Sequence, residues 1–169
     1  DLVGDRGRQQ RRARHLMPGV LRIDGSGDFA GHIQHEAGRM IINGSLPNAT
    51  IALDGGTLGG NGRTGPIAVR DAATSTIAPG TSPGTLTTGS LGGLSDLTLA
   101  VELNGTTPGA GYDQLKVIGA TQLNDATLSV TANFEPPSGS RFIIIDNDGA
   151  DPVIREFAGL PEGATLTAG

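Results

Sequence analysis

From Gly19 onward the chain alternates brief apolar beats with turn residues. Leu97, Leu99, Val101 and Leu103 lie two apart, with Thr98, Ala100 and Glu102 between them. A period of two predicts a strand with one buried face. Further strands are expected over 20–23, 39–44, 50–55, 67–70, 75–80, 85–89, 114–119, 126–134 and 141–146. Gly, Asn and Asp fill nearly every gap, as turns demand. No stretch sustains a 3.6-residue apolar period with caps, so little or no helix is expected.

Phrases also return along the chain. "ALDGGTLGGNG" (52–62) is echoed by "TLTTGSLGGLSDL" (85–97), and "NATIALDG" (48–55) by "DATLSVTA" (125–132). Such self-similarity points to stacked coils, each burying a few aliphatic side chains and bonding its backbone to the coils above and below. The stretch 74–86, "TSTIAPGTSPGTL", fits that scheme. Ile77 and Leu86 supply inward beats, and Pro79-Gly80 and Pro83-Gly84 turn corners. Proline donates no ladder hydrogen bond, and glycine accepts positive φ. The fold class expected is all-β, a parallel β-solenoid. Seven or so coils about 4.8 Å apart would give a rod on the order of 30 Å long.

Composition supports a folded, turn-rich chain. Of 169 residues, 28 are Gly and 10 Pro, which approaches low complexity, but 40 are Leu, Ile, Val or Phe and the net charge is only −5. Four Phe, one Tyr and no Trp suit a thin aliphatic interior better than a sandwich built on aromatic anchors. The absence of cysteine excludes disulfides and thiolate metal sites. The longest apolar run, Phe142 to Ile145, is too short to span a bilayer. No secretory leader is legible at the start, so any export signal or anchor is expected outside this chain.

Charge divides the chain further. Five of the eleven arginines, Arg6, Arg8, Arg11, Arg12 and Arg14, fall within residues 1–18. That segment reads as a basic, disordered, solvated lead of doubtful origin. Residues 1–14 carry +3 and the rest −8, so no nucleic-acid partner is expected. The domain reading is 1–18 lead, 19–95 solenoid repeat region, and 96–169 a C-terminal continuation of the solenoid.

"GTLGGNG" (56–62) and "IAPGTSPGTLTTG" (77–89) resemble the autotransporter-associated β-strand repeat of bacterial surface proteins. "LAVELNGTTPGAGYDQLKVIG" (99–119), "ATLSV" (126–130), "FIIIDNDGADPV" (142–153) and "FAGLPEGATLTAG" (157–169) are similar to the segment that commonly follows that repeat. The resemblance covers roughly residues 20–169. It implies a right-handed parallel β-helix, exported and displayed at the bacterial cell surface or secreted. Its partners would be flanking solenoid rungs and a C-terminal outer-membrane barrel of the parent chain. Residues 1–18 do not match, and Arg63 stands where an uncharged residue is more usual. No alternating strands with aromatic girdles follow, so a passenger fragment or degenerate copy is expected.

Several clusters invite chemistry. "HIQHE" places His32, His35 and Glu36 together, but the order is wrong for His-Glu-x-x-His, and on a strand the two histidines face opposite sides. They read as exposed polar residues. Asp146, Asp148 and Asp151 with Asn147 could supply oxygen ligands to calcium, but Gly149 comes too early for an EF-hand, and "GGNGRTGPI" (59–67) has Thr64 where a β-roll needs aspartate. The segment reads as a polar turn. Asp113, Lys116 and Glu102 are the best candidates for an acid/base trio on a sugar-cleaving β-helix. Lys116 alternates with Leu115 and Val117, so a solvated face or an Asp113–Lys116 ion pair is the expectation. No nucleophile elbow, P-loop or dinucleotide fingerprint is present. Asn43, Asn48 and Asn104 fit the N-glycosylation pattern. No catalytic, cofactor-binding or metal residue is assigned, and no cofactor is expected.

The function expected is a non-catalytic structural stalk of a surface-displayed passenger, spacing and supporting the folding of a distal module. A carbohydrate-binding or adhesin module, with host or cell-surface glycans as partners, is the alternative. A polysaccharide-cleaving enzyme ranks below both.

Overall fold

A computed structural model describes residues 12–16, 18–70, 75–93, 97–149 and 151–165. In chain order its strands are β1 (Arg12–His15), β2 (Val20–Ile23), β3 (His32–His35), β4 (Arg39–Ile42), β5 (Ser45–Leu46), β6 (Thr50–Leu53), β7 (Gly56–Gly60), β8 (Arg63–Thr64), β9 (Ile67–Val69), β10 (Ser75–Pro79), β11 (Thr85–Thr88), β12 (Leu91–Gly93), β13 (Leu97–Leu103), β14 (Gln114–Val117), β15 (Thr121–Gln122), β16 (Thr127–Ala132), β17 (Ile145–Asn147) and β18 (Val153–Ile154). Among the described residues there is no helix.

From β3 to β15 each strand pairs in parallel with the strand three places later, after opening pairs β1–β3 and β2–β4. Sheet 1 runs β1-β3-β6-β9-β12-β15-β18, sheet 2 runs β2-β4-β7-β10-β13-β16, and sheet 3 runs β5-β8-β11-β14-β17. This is a three-faced parallel β-helix, the expected solenoid. Register on sheet 2 matches Leu21 with Met40, Met40 with Leu58, Leu58 with Ile77, Ile77 with Leu99, and Leu99 with Leu128. The steps are 19, 18, 19, 22 and 29 residues. The chain therefore keeps a near-constant coil length at first and lengthens later, where residues 104–112 make an excursion.

The inward column is aliphatic. Met40, Leu58, Ile77, Leu86, Leu115 and Ile51 are fully buried, and Leu97, Leu99, Val101 and Leu103 all point inward as their spacing predicted. Leu21 and Leu128 pack against this core from the two ends. At about 25 cal/mol per Å² of apolar area, such stacking is the main stabilising contribution to each coil.

Glycine matters where coils touch. In β7, Gly60 has φ +111°, and a Cβ there would lie 2.1 Å from the Ile42 carbonyl oxygen of the coil beneath. Gly60 and Gly80 also exchange backbone hydrogen bonds of 3.1 and 2.9 Å. Gly80 has φ +84°, which fits the corner expected at Pro79-Gly80. A polar ladder marks another corner: the Asn43 amide donates to Asp24 at 2.7 Å, the Asn61 backbone N–H donates to the Asn43 side chain at 3.3 Å, and the Asn61 amide donates to Thr81 at 2.8 Å.

Two expectations need correction. Residues 12–15 do not belong to a disordered lead: β1 pairs with β3 over Arg12↔His32 to His15↔His35, because backbone ladders recruit polar sequence as readily as apolar. Residues 1–11 lie outside the described residues. The strand expected over 141–146 begins only at Ile145, and Ile143 is 59% exposed. Here side chains take the backbone groups: the Ile143 N–H donates to the Tyr112 hydroxyl, and the Gln114 amide donates to the Ile143 carbonyl. The boundary drawn at 95/96 falls outside the described residues.

Candidate functional site

Two carboxylates weighed as acid/base candidates, Glu102 and Asp113, meet at a corner of the coil. β13 delivers Glu102 on its outward side. The following excursion turns back on itself, with the Asn104 N–H donating to the Gly111 carbonyl, and returns Asp113 beside Glu102. Asp113 is 3% exposed. Its Oδ1 accepts from the Gly84 N–H at 2.8 Å and its Oδ2 from the Glu102 N–H at 2.9 Å. Burial raises its pKa, the two backbone donors pull it back down, and the Glu102 charge adds a smaller upward push. The Ser82 hydroxyl donates to Glu102.

A hollow of about 130 Å³ lies over this corner, lined by Arg39, Pro79, Gly80, Ser82, Glu102 and Asp113. Both Asp113 oxygens are already held by backbone N–H groups. The residue thus acts as a staple between Gly84 and the coil above it. Lys116 does not join the pair. It faces outward from sheet 3, where the register sets it against Asp146, and its Nζ is 3.8 Å from that carboxylate. Of the two alternatives expected for Lys116, the solvated face is the one seen: its side chain is exposed and pairs with Asp146, while the buried Asp113 is held by backbone N–H groups instead.

The two histidines of "HIQHE" do face opposite sides, but only one is exposed to the outside. His35 is fully buried, which corrects the reading of both as exposed. It stacks on His15, with ring centroids 5.0 Å apart, planes 4° apart and Nδ1 atoms separated by 3.0 Å. Burial lowers the His35 pKa, the neighbouring His15 lowers it further, and backbone groups of Thr57 and Gly38 oppose both. Glu36 instead accepts from Arg14 at 2.9 Å. Sequence reading missed this pairing because His15 lies in the segment set aside as a lead.

In the acidic turn, Asp146 bonds Lys116, and the Asn147 amide donates to the Asp151 carbonyl at 2.6 Å. Among the described residues, no three His, Cys, Asp or Glu side chains converge in a way that could hold a metal ion. Of the three glycosylation-pattern asparagines, Asn43 is engaged in the corner ladder, Asn104 accepts from the Asn133 amide at 2.7 Å, and Asn48 is exposed in a turn.

A second hollow, of about 110 Å³, lies on the outer wall of sheet 1. Arg12, Arg14, His32, Gln34, Ala52 and Arg70 line it. Gln34 donates to Asp54 at 2.8 Å, and Arg70 lies 3.8 Å from the same carboxylate. No family model, curated protein or solved structure matches the chain.

Proposed function

We propose that this chain is a non-catalytic β-solenoid stalk, part of a secreted or cell-surface autotransporter-like passenger. Its work is mechanical: it spaces a surface-displayed module from the cell and templates the folding of neighbouring coils. The observation that carries the reading is the continuous inward column Leu21, Met40, Leu58, Ile77, Leu99 and Leu128. A repeated column of this kind adds length coil by coil, and each coil offers its edge to the next. The phrases at 56–62 and 77–89 support the family assignment by resemblance. The expected partners are flanking rungs and an outer-membrane barrel of the parent chain. Electron microscopy tests the reading: the chain should appear as a rod on the order of 30 Å long, and variants with added coils should lengthen in proportion. A particle that grows in all directions on adding coils would refute it.

A carbohydrate-binding or adhesin module is the second reading, favoured by one observation. Sheet 1 carries amide side chains, Gln34 and Gln122, on the same outer wall as the two hollows lined by Arg12 and by Gly92.

A further inference from the structure

We propose that the outer wall of sheet 1 binds an acidic oligosaccharide, its carboxylate or sulfate groups held by Arg12 and Arg70. The proposal deepens the carbohydrate-binding reading and rests on it. Three guanidinium groups from separate points of the chain converge on one hollow: Arg12 and Arg14 from β1, and Arg70 from the end of β9. Two carboxylates engage side chains of its lining. Glu36 takes Arg14 at 2.9 Å, and Asp54 takes the Gln34 amide at 2.8 Å with Arg70 farther off at 3.8 Å. Among the described residues, Arg12 and His32 have no acidic partner. The hollow thus keeps an excess positive charge in a chain of net charge −5, so general attraction of polyanions does not explain it.

Shape restricts the ligand further. The register continues Gln34 into Ala52, then Ala68, then Gly92. The next strand brings Gln122 over Gly92, its Oε1 3.6 Å from where a Gly92 Cβ would lie. A second hollow of about 190 Å³ opens there, lined by Pro66, Ala68, Ser90, Gly92, Ala120 and Gln122. Between Gln34 and Gln122 lie four coil steps, about 19 Å. The cationic hollow and the Gln122 hollow therefore share one face at a separation suited to several linked sugars. Guanidinium forks match carboxylate and sulfate geometry, and glutamine amides match sugar hydroxyls. The described lining of both hollows contains no Phe, Tyr or Trp ring, so the broad stacking platform that neutral sugars favour is missing.

The test is titration of the 169-residue chain by calorimetry with a uronate hexasaccharide, a sulfated hexasaccharide, neutral maltohexaose and a single-stranded oligonucleotide. Either or both acidic saccharides should bind saturably, and which one does so distinguishes carboxylate from sulfate. Arg12→Gln with Arg70→Gln should weaken binding about tenfold or more, and Gln122→Ala should weaken the hexasaccharide but not the matching disaccharide. Backbone amide shift mapping on the unaltered chain should place the contacts at Ala52, Ala68 and Gly92, which keeps the site testable if the double variant folds poorly. Binding of maltohexaose with equal affinity would overturn the acidic ligand while leaving the glycan reading standing. No saccharide binding would end both. Equal binding of the oligonucleotide, or shifts confined to another face, would overturn the site.

Discussion

His15 lies parallel to His35 across adjacent coils of sheet 1, their planes 4° apart and their Nδ1 atoms separated by 3.0 Å. A hydrogen bond between two Nδ1 atoms needs one donor and one acceptor, so the pair cannot hold both rings fully protonated. The arrangement places a titratable contact in the interior column, directly above Leu53.

That contact makes stability depend on acid. The folded-state pKa of His35 lies below its ordinary value of 6.5, chiefly through burial and then through His15. The unfolded chain therefore binds more protons as pH falls through 6.5, and this contribution is complete above that value. It declines as pH drops toward the lowered folded pKa and levels off beneath it. Urea unfolding at about pH 7.5 and about pH 5.5 should show a clear loss for the native sequence. His35→Leu, which continues the apolar column from Leu53, should show a smaller loss; an equal loss would assign the acid sensitivity elsewhere.

Gly60 should tolerate no side chain. Its φ of +111° disfavours any L-residue, and an added Cβ would press into the backbone of Ile42. Gly60→Ala should cost well over 1 kcal/mol in urea unfolding, because neither coil can move without disturbing the Gly60–Gly80 bond pair. Gly27→Ala is the control, since a Cβ at Gly27 meets nothing within 4 Å. Its effect should stay within about 0.5 kcal/mol.

The interior column sets the scale of core losses. Leu58 is fully buried between Met40 and Ile77. Leu58→Ala should cost about 2–5 kcal/mol, the range for a cavity in a core that collapses only partly. Val20, 63% exposed on β2, should lose little when changed to Ala. Denaturant unfolding followed by circular dichroism compares the two directly. Similar losses at both positions would mean that the column does not carry the stability.

The legibility of the coil in the sequence follows strand length. Leu97 to Leu103 has seven residues of clean alternation, and all four inward leucine and valine positions are buried. Arg63–Thr64 and Thr121–Gln122 are strands of two polar-leaning residues. Nothing in their own letters marks them; the strands above and below hold them in the ladder. The same non-locality hid the site geometry. Asp113 is held by Gly84, 29 residues earlier, and Lys116 faces Asp146, 30 residues later. Both separations reflect the length of the later coils, which spacing within one segment does not reveal. Arg12 and His15 were obscured because a run of arginines resembles a solvated tail until its pairing with His32 to His35 is seen.

Asp113 ties two coils together, and its amide analogue should expose that role. Asn keeps one carbonyl oxygen and replaces the other with an NH₂ group. Whichever way it turns, one of the Gly84 and Glu102 N–H donors would then face another donor. A buried donor left without an acceptor costs about 1–3 kcal/mol, so Asp113→Asn should lower unfolding stability by roughly that amount. Glu102→Gln, whose side chain lies nearer solvent and leaves its backbone N–H in place, should cost less. Urea unfolding of both variants, with hydrogen exchange at the Gly84 and Glu102 amides, provides the measurement. Faster exchange at both amides in Asp113→Asn, with protection retained in Glu102→Gln, is the expected pattern. Unchanged protection in Asp113→Asn would show that the two amides are held by the ladder and not by the carboxylate.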